Sequence, residues 1–305
     1  MTLTELKYIV ALADEKHFGN AAERCLVSQP TLSIAVKRLE DELDIAIFER
    51  GKNGVEVTPL GKKIVEQAQE ALLASAKIRD IAKSEDDSLI HPLRLGAIFT
   101  IGPYLFPRFL PTLQELAPDM PLYLEENFTE TLKQRLIHAE LDAIIVALPF
   151  TEKDVVTQKL FDERFVAIVP ANHPLAKKQR VQTKDFQDEN ILMLGEGHCL
   201  RDQVIEVCST TRDGDARSTT IGSSLETLKY MISSGLGVCI LPESAASVPD
   251  SLEDKITVVR FEDSDTHPEP KRGVALAWRA SYPRFASIDL VSKAIRKNTQ
   301  TLAVS

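Results

Sequence analysis

Between residues 93 and 148, three apolar runs alternate with stretches of helical spacing. The runs are Leu93-Arg-Leu-Gly-Ala-Ile-Phe99, Pro121-Leu-Tyr-Leu-Glu-Glu126 and Asp142-Ala-Ile-Ile-Val-Ala-Leu148. The helical stretches lie at about 103–117 and 129–140. Buried strands separated by helices predict an α/β domain with parallel sheets. Phe165-Val-Ala-Ile-Val169 continues the pattern, and a second set follows. It comprises Ile191-Leu-Met-Leu194, a helix after Cys199, and Gly237-Val-Cys-Ile-Leu241. Gly273-Val-Ala-Leu-Ala-Trp278 is a last strand, with a helix at about 284–297 behind it. Thr100 and Thr129 each follow a strand, where open α/β sheets hold their ligands, so both hydroxyls are expected to point into a cleft.

The first ninety residues have a different period. Leu3, Leu6, Ile9, Val10 and Ala13 recur at helical spacing, and Phe18–Leu26 reads as a second, shorter helix. Ser28 is a good N-cap for a third helix that tolerates Pro30 in its first turn and runs from Gln29 to about Leu43. Its inner stripe is Leu32, Ala35, Val36, Leu39 and Leu43, leaving Pro30, Ser33, Ile34, Lys37 and Arg38 outward. A short helix, a tight turn and a longer helix with a basic outer face describe a helix-turn-helix. The run Phe48–Thr58 fits a two-stranded wing, with Asn53-Gly54 as the hairpin turn and Arg50 and Lys52 where phosphates pass. Cys25 is read as a core residue of the second helix.

Thr58-Pro59 opens a long helix that should reach about Lys83. Ile64, Ala71 and Ile78 fall every seven residues, with Ala68, Ser75 and Ala82 four places on. This narrow seam needs a second helix, either in a homodimer or within its own domain.

Length and composition fit two or three ordinary globular domains: 305 residues, 44% apolar and 27% charged. No apolar run approaches membrane-spanning length, and the N-terminus begins an amphipathic helix rather than a signal peptide, so a cytoplasmic protein with no membrane association is expected. Four cysteines (25, 199, 208 and 239) are too scattered for a secreted disulfide framework. The net charge of −9 argues against a nucleic-acid partner, and residues 1–63 carry 9 Lys and Arg against 10 Asp and Glu. DNA binding must therefore rest on where the cations point.

The chemistry concentrates in Gly195-Glu-Gly-His-Cys-Leu-Arg-Asp-Gln-Val-Ile-Glu-Val-Cys208. A thiol at a turn that opens a helix, with His198 before it and Arg201 after it, should have a lowered pKa. Cys208 lies nine residues on, about 13 Å away if Leu200–Val207 is helical. A disulfide requires Cα atoms within about 7 Å, so bonding the pair means leaving the helix. The alternative is two reduced, small apolar residues. Val204-Ile-Glu-Val-Cys208 is rich in β-branched residues and should be only marginally helical. Cys239, in an apolar strand, reads as inert core.

Residues 17–61 resemble the winged helix-turn-helix of LysR-type transcription regulators through Ala21-Ala22-Glu23-Arg24, Val27-Ser-Gln-Pro-Thr-Leu-Ser33, Lys37-Arg-Leu-Glu40, Phe48-Glu-Arg50 and Thr58-Pro-Leu-Gly61. The resemblance implies a winged helix-turn-helix at 1–58 and a linker helix at 59–89. Regulatory subdomain I would span 90–162 and 268–305, and subdomain II 163–267, as in periplasmic binding proteins. It implies DNA contacts from Gln29, Pro30, Thr31, Ser33, Lys37, Arg38 and Arg50. Gly197–Gln203 with Cys208 and Pro268-Glu-Pro-Lys-Arg272 is similar to the hydrogen-peroxide-sensing members. That similarity implies that peroxide oxidises Cys199 and that Cys208 resolves the product as a disulfide. Thr100, Thr129, His198 and Arg272 would then surround the peroxide beside Cys199. Closing this short loop constrains the unfolded chain by about 3 kcal/mol, enough to bias a two-state element.

The implied function is redox-controlled activation of antioxidant genes from double-stranded promoter DNA, with RNA polymerase as a partner. The implied assembly is a homodimer through the linker helix and a homotetramer beyond it, without enzyme activity, cofactor or metal. The main alternative is a metabolite-responsive regulator of the same family, binding a small carboxylate between Thr100 and Thr129.

Overall fold

The computed structural model describes residues 1–51, 54–84, 89–209, 221–264 and 268–299. It falls into two compact units, 1–85 and 86–305.

The first unit begins with α1 (Leu3–Glu15), where Thr2 and Glu5 cap each other. α2 (Phe18–Arg24) stops two residues short of the expected end, because Leu26 turns into the left-handed region at φ 57° and stands exposed. Cys25 caps α2 and packs partly into the core. α3 (Gln29–Leu43) starts on Ser28, whose hydroxyl accepts the Thr31 N–H. Leu32, Val36 and Leu39 are buried, whereas Leu43 is exposed rather than part of the stripe. β1 (Phe48–Gly51) and β2 (Gly54–Val57) pair antiparallel, Phe48 opposite Val57 and Gly51 opposite Gly54. Lys52 and Asn53 of the expected turn lie outside the described residues.

α4 (Pro59–Ser84) is capped by Thr58, whose hydroxyl accepts the Gly61 N–H. Gly61 has no room for a side chain: a Cβ there would lie 2.2 Å from the Ile47 carbonyl oxygen. Val65 and Ala68 are buried in the core of their own unit, with Ile64 and Leu72 packed against it. The start of the seven-residue seam is thus used internally, while Ala71 and Ile78 remain exposed.

The second unit is built on one mixed sheet. β3 (Leu93–Ile98) pairs in parallel with β4 (Leu122–Asn127) and β5 (Ala143–Ala147). α5 (Gly102–Leu116) and α6 (Thr129–Ile137) make the crossovers. β6 (Val155–Pro170) is far longer than the apolar run at its end. Its first part pairs antiparallel with β12 (Lys271–Arg279), which also lies antiparallel to β5. Its last part pairs antiparallel with β10 (Cys239–Pro242) and β11 (Ile256–Phe261). The expected parallel pairing holds for β3, β4 and β5, whereas β6 is flanked by antiparallel strands. Its partners β10, β11 and β12 come from far along the chain and run back against it.

β7 (Arg180–Val181) lies parallel to β11, and β8 (Met193–Leu194) pairs with β9 (Ile221–Gly222). α7 (Cys199–Ser209), α8 (Leu225–Ser233) and α9 (Phe285–Thr299) complete the elements. Two apolar clusters form. One gathers β3, β5, β12, α5 and α9; the other gathers the end of β6, β10, β11, α7 and α8. β11 and residues 155–164 are not among the expected strands, because their polar residues interrupt any apolar run.

Asp142, buried before β5, ties the edges of the first cluster together. Its carboxylate accepts the Arg94 N–H and two guanidinium N–H groups of Arg94, at 2.8–3.2 Å, and lies 3.7 Å from the buried Arg284. Asp142→Ala strands Arg284 without its counter-charge and should cost about 3 kcal/mol, as breaking buried ion pairs does. Urea unfolding followed by circular dichroism should show the midpoint falling; an unmoved midpoint would remove Asp142 from the framework.

Candidate functional site

Cys199 is the first residue of α7, so the turn before it decides its surroundings. That turn passes through Gly197 at φ +90°, where a side chain would be strained and its Cβ would meet the Phe128 ring at 3.2 Å. Phe128 stacks edge-on with the His198 ring at 4.8 Å and with Phe99 at 5.2 Å. His198 is thus wedged among aromatic rings, and burial holds its pKa below the usual value. At neutral pH it is an uncharged imidazole.

Arg272, on β12, is 2% exposed. Its Nε donates to Glu163 at 2.8 Å, Nη1 donates to the Thr100 hydroxyl at 3.0 Å, and Nη2 donates to the Thr100 carbonyl at 2.8 Å. Thr100 does not project openly into a cleft as expected: it is buried and serves the guanidinium. The Thr129 hydroxyl is buried, has no nitrogen or oxygen partner, and acts on the Cys199 sulfur.

Burial is the largest influence on the Cys199 thiol and pushes its pKa up. The charge of Arg272, the Thr129 hydroxyl and the residue's own N–H favour the thiolate, and Asp202 opposes it. The net direction is upward, against the expected lowering. Burial accounts for the difference: it outweighs Arg272, the cation that reaches the sulfur in place of Arg201, and the neighbouring imidazole is neutral.

Thr100, Thr129, Cys199 and Arg272 are therefore brought together, with His198 alongside in the aromatic wedge. Glu163, Phe99 and Phe128 are additions. Glu163 hides in the polar string Phe161-Asp-Glu-Arg164 and is revealed only by its register opposite Arg272.

Cys208 sits on the same unbroken helix, about 13 Å along its axis. Cys199 packs against the first apolar cluster and Cys208 against the second. Burial pushes the Cys208 thiol up to about 11. Cys239 is fully buried in β10, which raises its pKa as well. The β-branched composition of Val204–Cys208 does not break α7, because Leu200 and Val204 anchor it in the second cluster. Residue 210 and those up to 220 lie outside the described residues. A cleft of about 510 Å³ borders α7 at Gln203, Glu206 and Val207, and neither Thr100 nor Thr129 lines it.

In the first unit, Gln29, Pro30, Thr31, Ser33, Lys37 and Arg38 are all exposed on α3. Arg38 also approaches Glu5 at 3.6 Å. Arg50 lies on β1. Glu40, on α3, accepts the N–H groups of Ile47 and Phe48 at 2.7 and 2.9 Å, which fixes the wing to that helix.

Because the folded state favours the protonated thiols, alkylation of Cys199 and Cys208 should accelerate with pH through midpoints above the ordinary thiol value of about 8.5. Arg272→Met should raise the Cys199 midpoint further. Peptide-resolved labelling with iodoacetamide across pH 6–11 measures both, and a Cys199 midpoint below 8 would contradict the geometry.

Two family models match. The LysR substrate binding domain covers residues 87–300, and the bacterial regulatory helix-turn-helix of the lysR family covers 3–62. A hydrogen peroxide-inducible genes activator of Pectobacterium carotovorum is 36% identical over 304 residues, covering 98% of this chain and 97% of that protein. A full-length OxyR variant from Pseudomonas aeruginosa is 52% identical with a TM-score of 0.72, over 97% and 95% of the two chains. A hydrogen-peroxide-bound OxyR mutant of Corynebacterium glutamicum is 30% identical with a TM-score of 0.66, over 98% and 93%. With both domains matched end to end, the chain belongs to the LysR family of bacterial helix-turn-helix regulators.

Proposed function

We propose that this regulator senses hydrogen peroxide through Cys199 and transmits the signal through a disulfide with Cys208. The observation that carries this reading is the placement of two thiols on one helix, each seated in a different apolar cluster. Full-length likeness to peroxide-inducible activators supports it.

The Cys199 thiolate attacks one peroxide oxygen, the O–O bond breaks, and hydroxide leaves and takes up a proton. The Thr129 hydroxyl and Arg272 steady the charge as it moves from sulfur to the departing oxygen. Thr100 holds Arg272 in place, and His198 offers the peroxide a neutral hydrogen-bonding partner. The sulfenic acid is then attacked by Cys208, releasing water and forming the disulfide. In the helical state Cys208 is both out of range and held protonated by burial. Unwinding α7 removes both obstacles, since exposure returns the thiol towards its ordinary pKa and raises its thiolate fraction about a hundredfold.

The chemistry is stoichiometric and the protein acts as a regulator rather than an enzyme. It works in the cytoplasm and needs no cofactor or metal. The α3 face, Gln29 to Arg38, enters the major groove, while the wing, whose strand β1 includes Arg50, runs along the phosphates. Copies pair through the exposed part of α4 around Ala71 and Ile78, and two such dimers make a tetramer. The chain crosses between the subdomains along β6 near residue 162; the second expected crossing, near 267, lies outside the described residues. A relative shift of the subdomains changes the spacing of the helix-turn-helix units, so that the oxidised form recruits RNA polymerase to antioxidant genes.

Thiol counting before and after one equivalent of peroxide should show two thiols lost from the wild type and none from Cys199→Ser. Cys208→Ser should lose one thiol and label with a sulfenic-acid probe. Retention of every thiol in the wild type would refute the sensor. For the DNA face, Lys37→Ala should weaken promoter binding at every sequence tested and lower the salt slope by about one. Gel-shift titrations at several salt concentrations measure this; an unchanged slope would place Lys37 away from the phosphates.

A further inference from the structure

The guanidinium of Arg272 is held unusually completely. An arginine has five N–H donors. Nε donates to Glu163 Oε2 at 2.8 Å, with Nη2 2.7 Å from the same oxygen, and Nη1 and Nη2 donate to the hydroxyl and carbonyl of Thr100. Glu163 and Arg272 are cross-strand neighbours on β6 and β12, with side chains 5% and 0% exposed. The second carboxylate oxygen of Glu163 accepts the Ser244 N–H at 3.3 Å, which pins the carboxylate from the other side. An ion pair so deeply buried keeps most of its interaction, because water cannot screen it.

We infer that Glu163 is a positioning residue for the peroxide reaction: it fixes the Arg272 guanidinium and offsets its charge, keeping Cys199 slow at rest and so setting the peroxide threshold. This rests on the peroxide reading above, but its first consequence concerns the thiol alone. Without the carboxylate, Arg272 would present its full charge to the sulfur, and the thiolate would become easier to form. Burial raises the Cys199 thiol, and Arg272 opposes that rise.

Glu163→Gln keeps the shape and removes the charge. The Cys199 alkylation midpoint should fall by about one pH unit, giving about tenfold faster labelling below the midpoint. Cys208, which lies in the other cluster, should label as before. Glu163→Asp, which retains the charge, should stay close to the wild type. In an Arg272→Met background the Glu163→Gln effect should vanish, because the residue acts through the guanidinium. Thermal melts of each full-length variant identify those that remain folded. If Glu163→Gln does not fold, comparing Glu163→Gln/Arg272→Met with Arg272→Met alone, both free of a stranded buried cation, carries the test. A midpoint that rises or stays in place in folded Glu163→Gln, or a shift that persists without Arg272, overturns the inference. If the midpoint falls as expected yet peroxide removes no thiols from the wild type, Glu163 still positions Arg272, and it is the sensing reading that fails.

Discussion

A helix is a rigid spacer, and α7 uses that rigidity to keep two thiols apart. At about 1.5 Å per residue, the nine steps from Cys199 to Cys208 cannot be shortened without breaking backbone hydrogen bonds. The anchoring on either side makes the constraint stronger. Leu200 and Val204 hold α7 in the second apolar cluster, and Cys208 packs there too, while Cys199 leans on the first. A bond between the sulfurs therefore has to draw on both clusters at once. Local chemistry at the first residue of a helix becomes a change felt by two packed cores, and packed cores tend to switch between discrete arrangements rather than deform smoothly.

The electrostatics of the site follow from burial more than from composition. His198, Arg201 and Arg272 all lie close in sequence or space to Cys199, yet only one of them contributes appreciable positive charge. Aromatic neighbours keep the imidazole neutral, and the guanidinium of Arg272 is shared with Glu163 and Thr100. The resulting thiol is guarded. Such a sulfur reacts through the small fraction that ionises, aided by donors already in place, and stays quiet otherwise.

The first unit shows the same separation between count and placement. Its charges nearly cancel, and the whole chain is acidic. DNA recognition depends on which side chains stand out from α3: Glu40 is turned to clamp the wing, and Glu5 of α1 is buried against Thr2, 3.6 Å from Arg38. Lys37 is left exposed on the recognition face, with Arg38 beside it.

Much of the architecture could be read from the residues, because caps, turns and hydrophobic periods act over a few neighbours. Ser28, Thr58-Pro59, the parallel β3–β4–β5 core and the helix after Cys199 all announce themselves locally. The polar first part of β6 and the alternating β11 do not, since their stability comes from strands distant in the chain. Cysteine spacing likewise determined, without any structure, that a Cys199–Cys208 bond is incompatible with an intact helix. Only the tertiary structure decided the charge state of that sulfur. The pKa of a buried group depends on solvent exclusion and on the partners of its partners, and Glu163, thirty-six residues from Cys199 and more than a hundred from Arg272, meets the guanidinium through strand register alone.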